Sequence, residues 1–153
     1  MKENNKLTAE LMMELIASDN VTAFVSENAG QLNVPSLPQH LAELCARKGI
    51  APHILIRQTD IERVFGGQIF SGKRSLSRDN ALKLALGLGL TVEETQRLLS
   101  ISGNSQLYPR VPRDAVVIYC LHRGIGYQEA QEQLYDLDMT TLGEELRYER
   151  NGR

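Results

Sequence analysis

The chain has 153 residues, of which 42% are hydrophobic and 24% are charged, and its formal net charge is −2 at pH 7. This length suits one domain with a core of ordinary size, or one domain with an attached helical pair. The longest apolar run, Ala115 to Leu121, is far shorter than the roughly 20 residues that cross a bilayer, and the polar N-terminus is not typical of a signal peptide. We therefore expect a soluble, cytoplasmic protein without membrane contact.

The residue types that hold metals or perform catalysis are sparse and scattered. Cys45 and Cys120 fall on apolar faces of different predicted helices, as buried thiols of a reducing compartment do. His40, His53 and His122 lack the spacing of paired metal ligands. The sequence also lacks a glycine-rich phosphate loop and a nucleophile motif. We therefore expect no enzyme activity, no cofactor and no metal.

The spacing of apolar residues predicts helices throughout. They recur at intervals of three and four, and glycines, prolines and capping residues interrupt them, which is typical of an all-α fold. Residues 1–36 are predicted to form an N-terminal helical pair, with a first helix from Thr8, as N-cap, to Ala17 and a second after Asn20. The apolar faces predicted for these two helices are Leu11, Met12, Leu15 and Ile16, and then Val21, Phe24 and Val25.

Residues 37–102 contain five further predicted helices. Pro38 lies in the first turn of the first helix and Gly49 ends it, and Pro52 opens the second. The third covers Ile61 to Ser71 and ends at Gly72. The last two follow their capping residues: Ser77 for the fourth, and the capping box Thr91-Val92-Glu93-Glu94 for the fifth, which ends near Leu99.

An internal repeat indicates a C-terminal helical hairpin in residues 103–140. A shift of 35 residues aligns matching pairs: Arg78-Asp79 with Arg113-Asp114, Leu86 with Leu121, Gly89-Leu90 with Gly124-Ile125, Glu94 with Glu129, Gln96 with Gln131, and Leu99 with Leu134. Residues 113–123 and 127–137 are thus predicted to form a second hairpin stacked on the first. An alternative explanation of the repeat is that both hairpins obey the same packing rules without common ancestry. Residues 141–153 are predicted to form a polar tail.

Charge is distributed unevenly along the chain. Residues 1–46 carry a net charge of −4, residues 47–83 carry +5 and residues 84–153 carry −3. The basic excess therefore falls on one short segment, and a basic patch of this kind favours contact with the phosphates of a nucleic acid. Its basic residues are Arg47, Lys48, Arg57, Arg63, Lys73, Arg74, Arg78 and Lys83.

This basic segment carries the residues on which a family resemblance rests. From Thr59 to Arg78 the chain reads T-D-I-E-R-V-F-G-G-Q-I-F-S-G-K-R-S-L-S-R, a short helix stopped by glycine, two basic residues and a second capped helix. Residues 38–99 resemble the lambda-repressor-like, Cro/repressor-type helix-turn-helix domain in the order of their five helices. The chain is also similar to a group of short bacterial helix-turn-helix proteins in three stretches: Gln68 to Arg74, Leu90 to Leu99, and Leu107 to Arg110 with Arg113-Asp114.

The resemblance implies a DNA-binding transcriptional regulator. In that family the second helix crosses the DNA backbone and the third, here helix 60–71, enters the major groove of double-stranded DNA. The base-reading positions correspond to Arg63, Val64 and Gln68. Arginine suits guanine, glutamine suits adenine, and valine offers contact with a thymine methyl. The phosphate contacts correspond to Arg57, Lys73, Arg74 and Arg78.

Two features of the third helix depart from the family pattern. Gly66 stands where a branched apolar residue is usual, and Phe70 stands where a polar residue is usual. Gly66 and Gly67 together should soften the helix, because each mid-helix glycine costs roughly 0.5–1 kcal/mol relative to alanine. Close approach of another group at the glycines is the structural alternative. The functional alternative is an interaction adaptor, derived from a helix-turn-helix protein, that no longer reads DNA sequence.

The partners left open by the sequence are a second copy of the chain and another protein. A single module reads few base pairs, so a regulator of this kind gains specificity as a dimer. The N-terminal helices and the C-terminal hairpin are the candidate surfaces for a homodimer or a protein partner. The hairpin carries Tyr119, Tyr127 and Tyr135, for which core packing is the alternative.

Overall fold

The structure is a computed structural model that describes residues 6–143, and all its regular elements there are helical. The predicted all-α class is confirmed. The described residues form two compact units, with the boundary between Val34 and Pro35. The α-helices are α1 (Thr8–Ala17), α2 (Val21–Glu27), α3 (Leu37–Lys48), α4 (Pro52–Gln58), α5 (Arg63–Ser71), α6 (Arg78–Leu88), α7 (Val92–Ile101), α8 (Pro112–Arg123) and α9 (Tyr127–Asp136).

The first unit consists of α1, α2 and a short 3-10 turn, and it buries little apolar surface. The prediction of Thr8 as the N-cap of α1 is wrong: the N-cap is Leu7, whose backbone N–H donates to the Glu10 side chain at 3.1 Å. No residue of α1 is buried, and Phe24 is the one buried residue of α2. The predicted burial of Val21 and Val25 is wrong, since both are exposed. Two helices of ten and seven residues form a layer too small to enclose two apolar faces.

Capping residues mark many of the helix ends of the second unit. The Ser36 hydroxyl accepts the Gln39 N–H at the start of α3, and Ser77 accepts the Asn80 N–H at the start of α6. The capping box of α7 is present, and left-handed glycines end α3, α5, α6 and α8. The enclosed core is rich in leucine, with the largest fully buried side chains including Leu41, Leu44, Leu55, Leu82, Leu84, Leu90, Leu98, Leu99 and Leu134.

The 35-residue repeat extends to the side-chain hydrogen bonds. Gln96 on α7 accepts the backbone N–H of Leu107 at 2.7 Å and donates to its carbonyl at 3.0 Å. Gln131 on α9 makes the same two bonds to Leu142, at 2.8 and 3.1 Å. The hairpins α6–α7 and α8–α9 therefore hold the loops that follow them in the same way.

The two hairpins are joined by two reciprocal arginine–aspartate pairs, in which each hairpin supplies the arginine of one pair and the aspartate of the other. We call these two pairs the exchange. The Arg78 guanidinium donates to both carboxylate oxygens of Asp114, at 2.9 and 2.8 Å. Arg113 donates to both oxygens of Asp79, at 3.0 and 2.9 Å. In keeping with this exchange, α6 packs on α9 as α8 packs on α7. A reciprocal contact of this kind is the signature of a two-fold arrangement, so the hairpins face each other instead of continuing as an open stack.

Residues 141–143, predicted to begin the polar tail, belong to the fold. Leu142 is buried, and the Gly143 N–H donates to Asp79 at 2.7 Å. The sequence pattern missed this because a single leucine does not form a periodic face. The rest of the predicted polar tail, residues 144–153, lies outside the described residues.

Low pH should weaken the arginine–aspartate pairs that join the hairpins. Burial alone would raise the pKa of Asp114, but the Arg78 guanidinium and the Tyr108 N–H hold that pKa below its ordinary value. A carboxylate with a depressed folded-state pKa stabilises the fold above its unfolded pKa, about 4, and that contribution is lost as the pH falls further. We expect Asp114→Asn to lose about 2–3 kcal/mol of unfolding free energy at pH 7 and to show a flatter loss of stability between about pH 5 and 2.

Urea unfolding across a pH series measures both effects. Asp136→Asn is the matched control, because Asp136 is exposed and has no ion pair with the described residues. Equal unfolding free energies for the two variants at pH 7 would contradict a structural role for the Arg78–Asp114 pair.

Candidate nucleic-acid interface

The turn between α4 and α5 is fixed by contacts from distant parts of the chain. Asp60 in this turn has φ of 57°, in the left-handed region. Its backbone carbonyl accepts the Lys83 ammonium from α6 at 3.2 Å, and its carboxylate accepts the Tyr127 hydroxyl from α9 at 3.1 Å. Burial raises the pKa of Tyr127 to about 12, so the hydroxyl remains a donor at neutral pH. The C-terminal hairpin thus supports the turn that precedes α5.

The helix predicted at 60–71 begins later than the sequence pattern indicates. The α5 helix covers Arg63–Ser71, because Asp60 is left-handed and Glu62 acts as the N-cap. The Glu62 carboxylate accepts the backbone N–H groups of Val64 and Phe65 at 2.9 and 2.8 Å. These two bonds lower the pKa of Glu62, so an ionised carboxylate stands at the start of α5.

The predicted base-reading residues differ in whether their side chains are free to contact DNA. Arg63 is exposed and the Val64 side chain is 54% exposed. Gln68 is half-buried, and its Oε1 accepts the Arg74 Nε–H at 2.8 Å. Arg63 and Val64 therefore face solvent, whereas a bidentate contact of Gln68 with adenine would compete with the bond to Arg74.

The predicted phosphate-binding residues also divide. Arg57, Lys73 and Arg74 are exposed, and the Arg74 guanidinium lies over the Phe65 ring at 5.3 Å from the centroid. Arg78 is half-buried, and its guanidinium makes four hydrogen bonds within the protein. Phosphate contact by Arg78 stays a prediction, and it would require some of these bonds to open.

The eight basic residues of the segment 47–83 fall into two groups. Four are used within the protein: Arg47 and Lys48, which pair with Glu94 at 3.7 and 3.4 Å, Arg78, which pairs with Asp114, and Lys83, which donates to the Asp60 carbonyl. The other four have no ion pair with any described residue: Arg57, Arg63, Lys73 and Arg74. These unpaired cations, which we call the α5 cations, lie in α5 or close to it in sequence, and all four are residues that the sequence analysis assigns to DNA contact.

The two adjacent glycines of α5 have different surroundings. Gly66 is buried, and a Cβ there would lie 2.6 Å from the Ile56 Cγ2 atom, so glycine permits the close approach of α5 to α4. Gly67 is exposed, and a Cβ there would meet nothing within 4 Å. Phe65 and Phe70 are half-buried and pack against the core. Close packing therefore accounts for Gly66 but not for Gly67.

Several features of this interface have no sequence signal. Asp60 and Tyr127 are 67 residues apart, and neither lies in a motif that links them. Of the three hairpin tyrosines, Tyr127 is buried, whereas Tyr119 and Tyr135 are exposed.

Cys45 and Cys120 are both buried, as predicted, and burial raises the pKa of each thiol.

Comparisons of the chain with protein-family models, with curated proteins and with solved structures found no match. Within residues 6–143, no three His, Cys, Asp or Glu side chains form a group that could hold a metal ion. In the same part of the chain, none of the helices has the length and apolar character required to span a bilayer.

Substitution of the two glycines should have opposite effects on stability. We expect Gly66→Ala to lose about 1–3 kcal/mol of unfolding free energy, because the new methyl group overlaps Ile56. We expect Gly67→Ala to gain about 0.5–1 kcal/mol, because alanine is the better helix former at an open position. Urea unfolding followed by circular dichroism compares the two variants with each other and with the wild type. Shifts of the same sign would show that the two positions are not distinguished by packing.

Proposed function

We propose that this chain is a DNA-binding regulatory protein and that α5 enters the major groove of double-stranded DNA. The observation that carries the proposal is the position of the four α5 cations. Arg63 is the first residue of α5, Arg57 lies in the last turn of α4, and Lys73 and Arg74 follow the C-terminal end of α5. A helix of nine residues is about 13 Å long, and the major groove, roughly 12 Å wide, admits an α-helix. Cations before and after such a helix are suited to the phosphates that border the groove.

The negative net charge of the chain is compatible with DNA binding. Exposed charges are screened over about 8–10 Å at ordinary ionic strength, so the phosphates respond to the local charge more than to the net charge of −2. The acidic side chain nearest the start of α5 is that of Glu62, and its charge is shared with two backbone N–H groups. The other acidic residue of the turn, Asp60, accepts the Tyr127 hydroxyl.

Base recognition in this proposal rests mainly on Arg63. Its exposed guanidinium has no ion pair with a described residue and suits the paired acceptors of guanine, and the exposed Val64 beside it suits a thymine methyl. A contact of Gln68 with adenine would compete with its bond to Arg74. So few base contacts give limited specificity, and a dimer on half-sites about 34 Å apart would supply more.

A second candidate function is the interaction adaptor, and the first unit favours it. Several large apolar side chains of α1 and α2 are more than half exposed: Met12, Met13, Ile16 and Val21. Clustered exposed apolar residues are typical of protein interfaces. The same surface would serve a DNA-binding dimer, so binding to DNA separates the two candidates.

The proposal is tested by DNA binding across a salt series. We expect the purified chain to bind mixed genomic DNA fragments, with log affinity falling steeply against log salt. Arg57→Ala combined with Lys73→Ala should reduce the slope of that plot by about 2, because two phosphate-contacting cations are lost. Fluorescence anisotropy with labelled fragments at a series of sodium chloride concentrations measures both quantities.

The matched control is Arg110→Ala combined with Arg123→Ala. Both residues are exposed, and this pair removes the same charge at a distance from α5 in sequence. The control should retain the wild-type slope. Equal losses in the two double variants would indicate general charge attraction, and a wild type that does not bind DNA at low salt would favour the adaptor.

A further inference from the structure

A polar cleft lies between α3 and α7, apart from the α5 cations. Its volume is about 350 Å³. The α3 side chains that line it recur at helical spacing and so share one face, and the α7 side chains are one turn apart. The lining residues are Pro35, His40, Glu43, Leu44, Arg47, Glu94 and Arg97.

His40, one of the residues that line the cleft, has a buried polar atom without a partner. His40 is only 5% exposed, and its Nε2 atom has no hydrogen-bond partner in the structure. Among the described residues it is the one buried side-chain nitrogen or oxygen in this condition. Such an atom costs about 1–3 kcal/mol, and in native structures the large majority are satisfied by protein, water or a ligand. A missing partner in the cleft is therefore the feature to be explained.

The charges around the cleft are paired at one end and unpaired at the other. Glu94 contacts Arg47 and Lys48, and it accepts the Thr91 N–H at 2.9 Å. Arg97, one turn further along α7, is exposed and has no ion pair or hydrogen bond with a described residue. It is close enough to His40 to act on the imidazole. Burial lowers the pKa of His40, Arg97 and Arg47 lower it further, and Glu43 opposes them.

We propose that this cleft binds a small molecule through one carboxylate or phosphate group, with Arg97 as the charge partner and with His40 as a hydrogen-bond donor after a rotation of its ring brings Nε2 to the cleft. A neutral imidazole protonated at Nε2 donates one hydrogen bond, and the guanidinium donates further bonds to the same group. The volume lies at the lower end of the range for ligand sites. Glu43 and Glu94 disfavour a ligand with several negative charges, and Leu44 offers an apolar contact for its remainder.

The histidine resonances provide a direct test. The chain has three histidines, and His53 and His122 are exposed and do not line the cleft. The full chain would be titrated at pH 7 with inorganic phosphate and, separately, with propionate, while sodium chloride holds the ionic strength constant. Proton NMR follows the ring Cε1–H signals, assigned with His53→Asn and His122→Asn. We expect a saturable shift of the His40 signal alone, and a higher pKa of His40 in the bound state, since an anion favours the imidazolium.

Variants at exposed arginines identify the charge partner without disturbing the core. Arg97→Gln should weaken binding at least about tenfold, as expected for loss of a charged hydrogen-bond donor. Arg110→Gln removes the same charge elsewhere and should titrate like the wild type. A response to only one of the two anions would support the site and identify the group it prefers. A His40 signal that behaves like those of His53 and His122 with both anions, or an Arg97→Gln variant that binds as the wild type does, would overturn the proposal.

Discussion

The exchange of Arg78 and Arg113 between two carboxylates is the interaction on which the second unit depends. Each guanidinium also donates to two carbonyls of the loop after its own hairpin, so four segments meet at one cluster. Charges removed from water are costly unless their partners and remaining hydrogen-bonding groups are satisfied, and here both carboxylates are paired in bidentate geometry and accept a backbone N–H as well. Since the two pairs are reciprocal, they hold the two hairpins together from both sides.

The same exchange brings the C-terminal hairpin to the turn before α5. The α6 helix supplies Lys83 to the Asp60 carbonyl, and α9 supplies Tyr127 to the Asp60 carboxylate. A left-handed aspartate is unfavourable by itself, so these contacts help to retain the conformation that lets Glu62 cap α5. The orientation of α5 therefore depends in part on Tyr127, which is 67 residues from Asp60, although α5 and its turn are contiguous in sequence.

Local chemistry made much of the helical fold predictable, and long-range contacts explain what was missed. Gly49, Ser77 and Gly72 mark helix ends because capping needs only neighbouring atoms. The start of α5 was misplaced because the conformation of Asp60 is supported by Tyr127, which no local pattern reveals. The burial of Val21 and Val25 was overestimated because an apolar face shows what a helix could bury, not whether a partner is present to cover it.

Long-range contacts also decide which charged residues of the candidate sites are free to bind a partner. Sequence counts eight cations between residues 47 and 83 and treats them alike, but a cation that is already bidentate to a carboxylate offers a weaker field and fewer free donors to DNA. Arg78 and Arg63 count equally as positive charges, but Arg78 is already paired with Asp114 whereas Arg63 has no ion pair with a described residue. The converse holds for His40, which is unremarkable as one of three scattered histidines and becomes informative only when its Nε2 atom is found buried without a partner. The functions proposed for this chain therefore rest on the polar groups that the fold leaves unsatisfied more than on the number of such groups in the sequence.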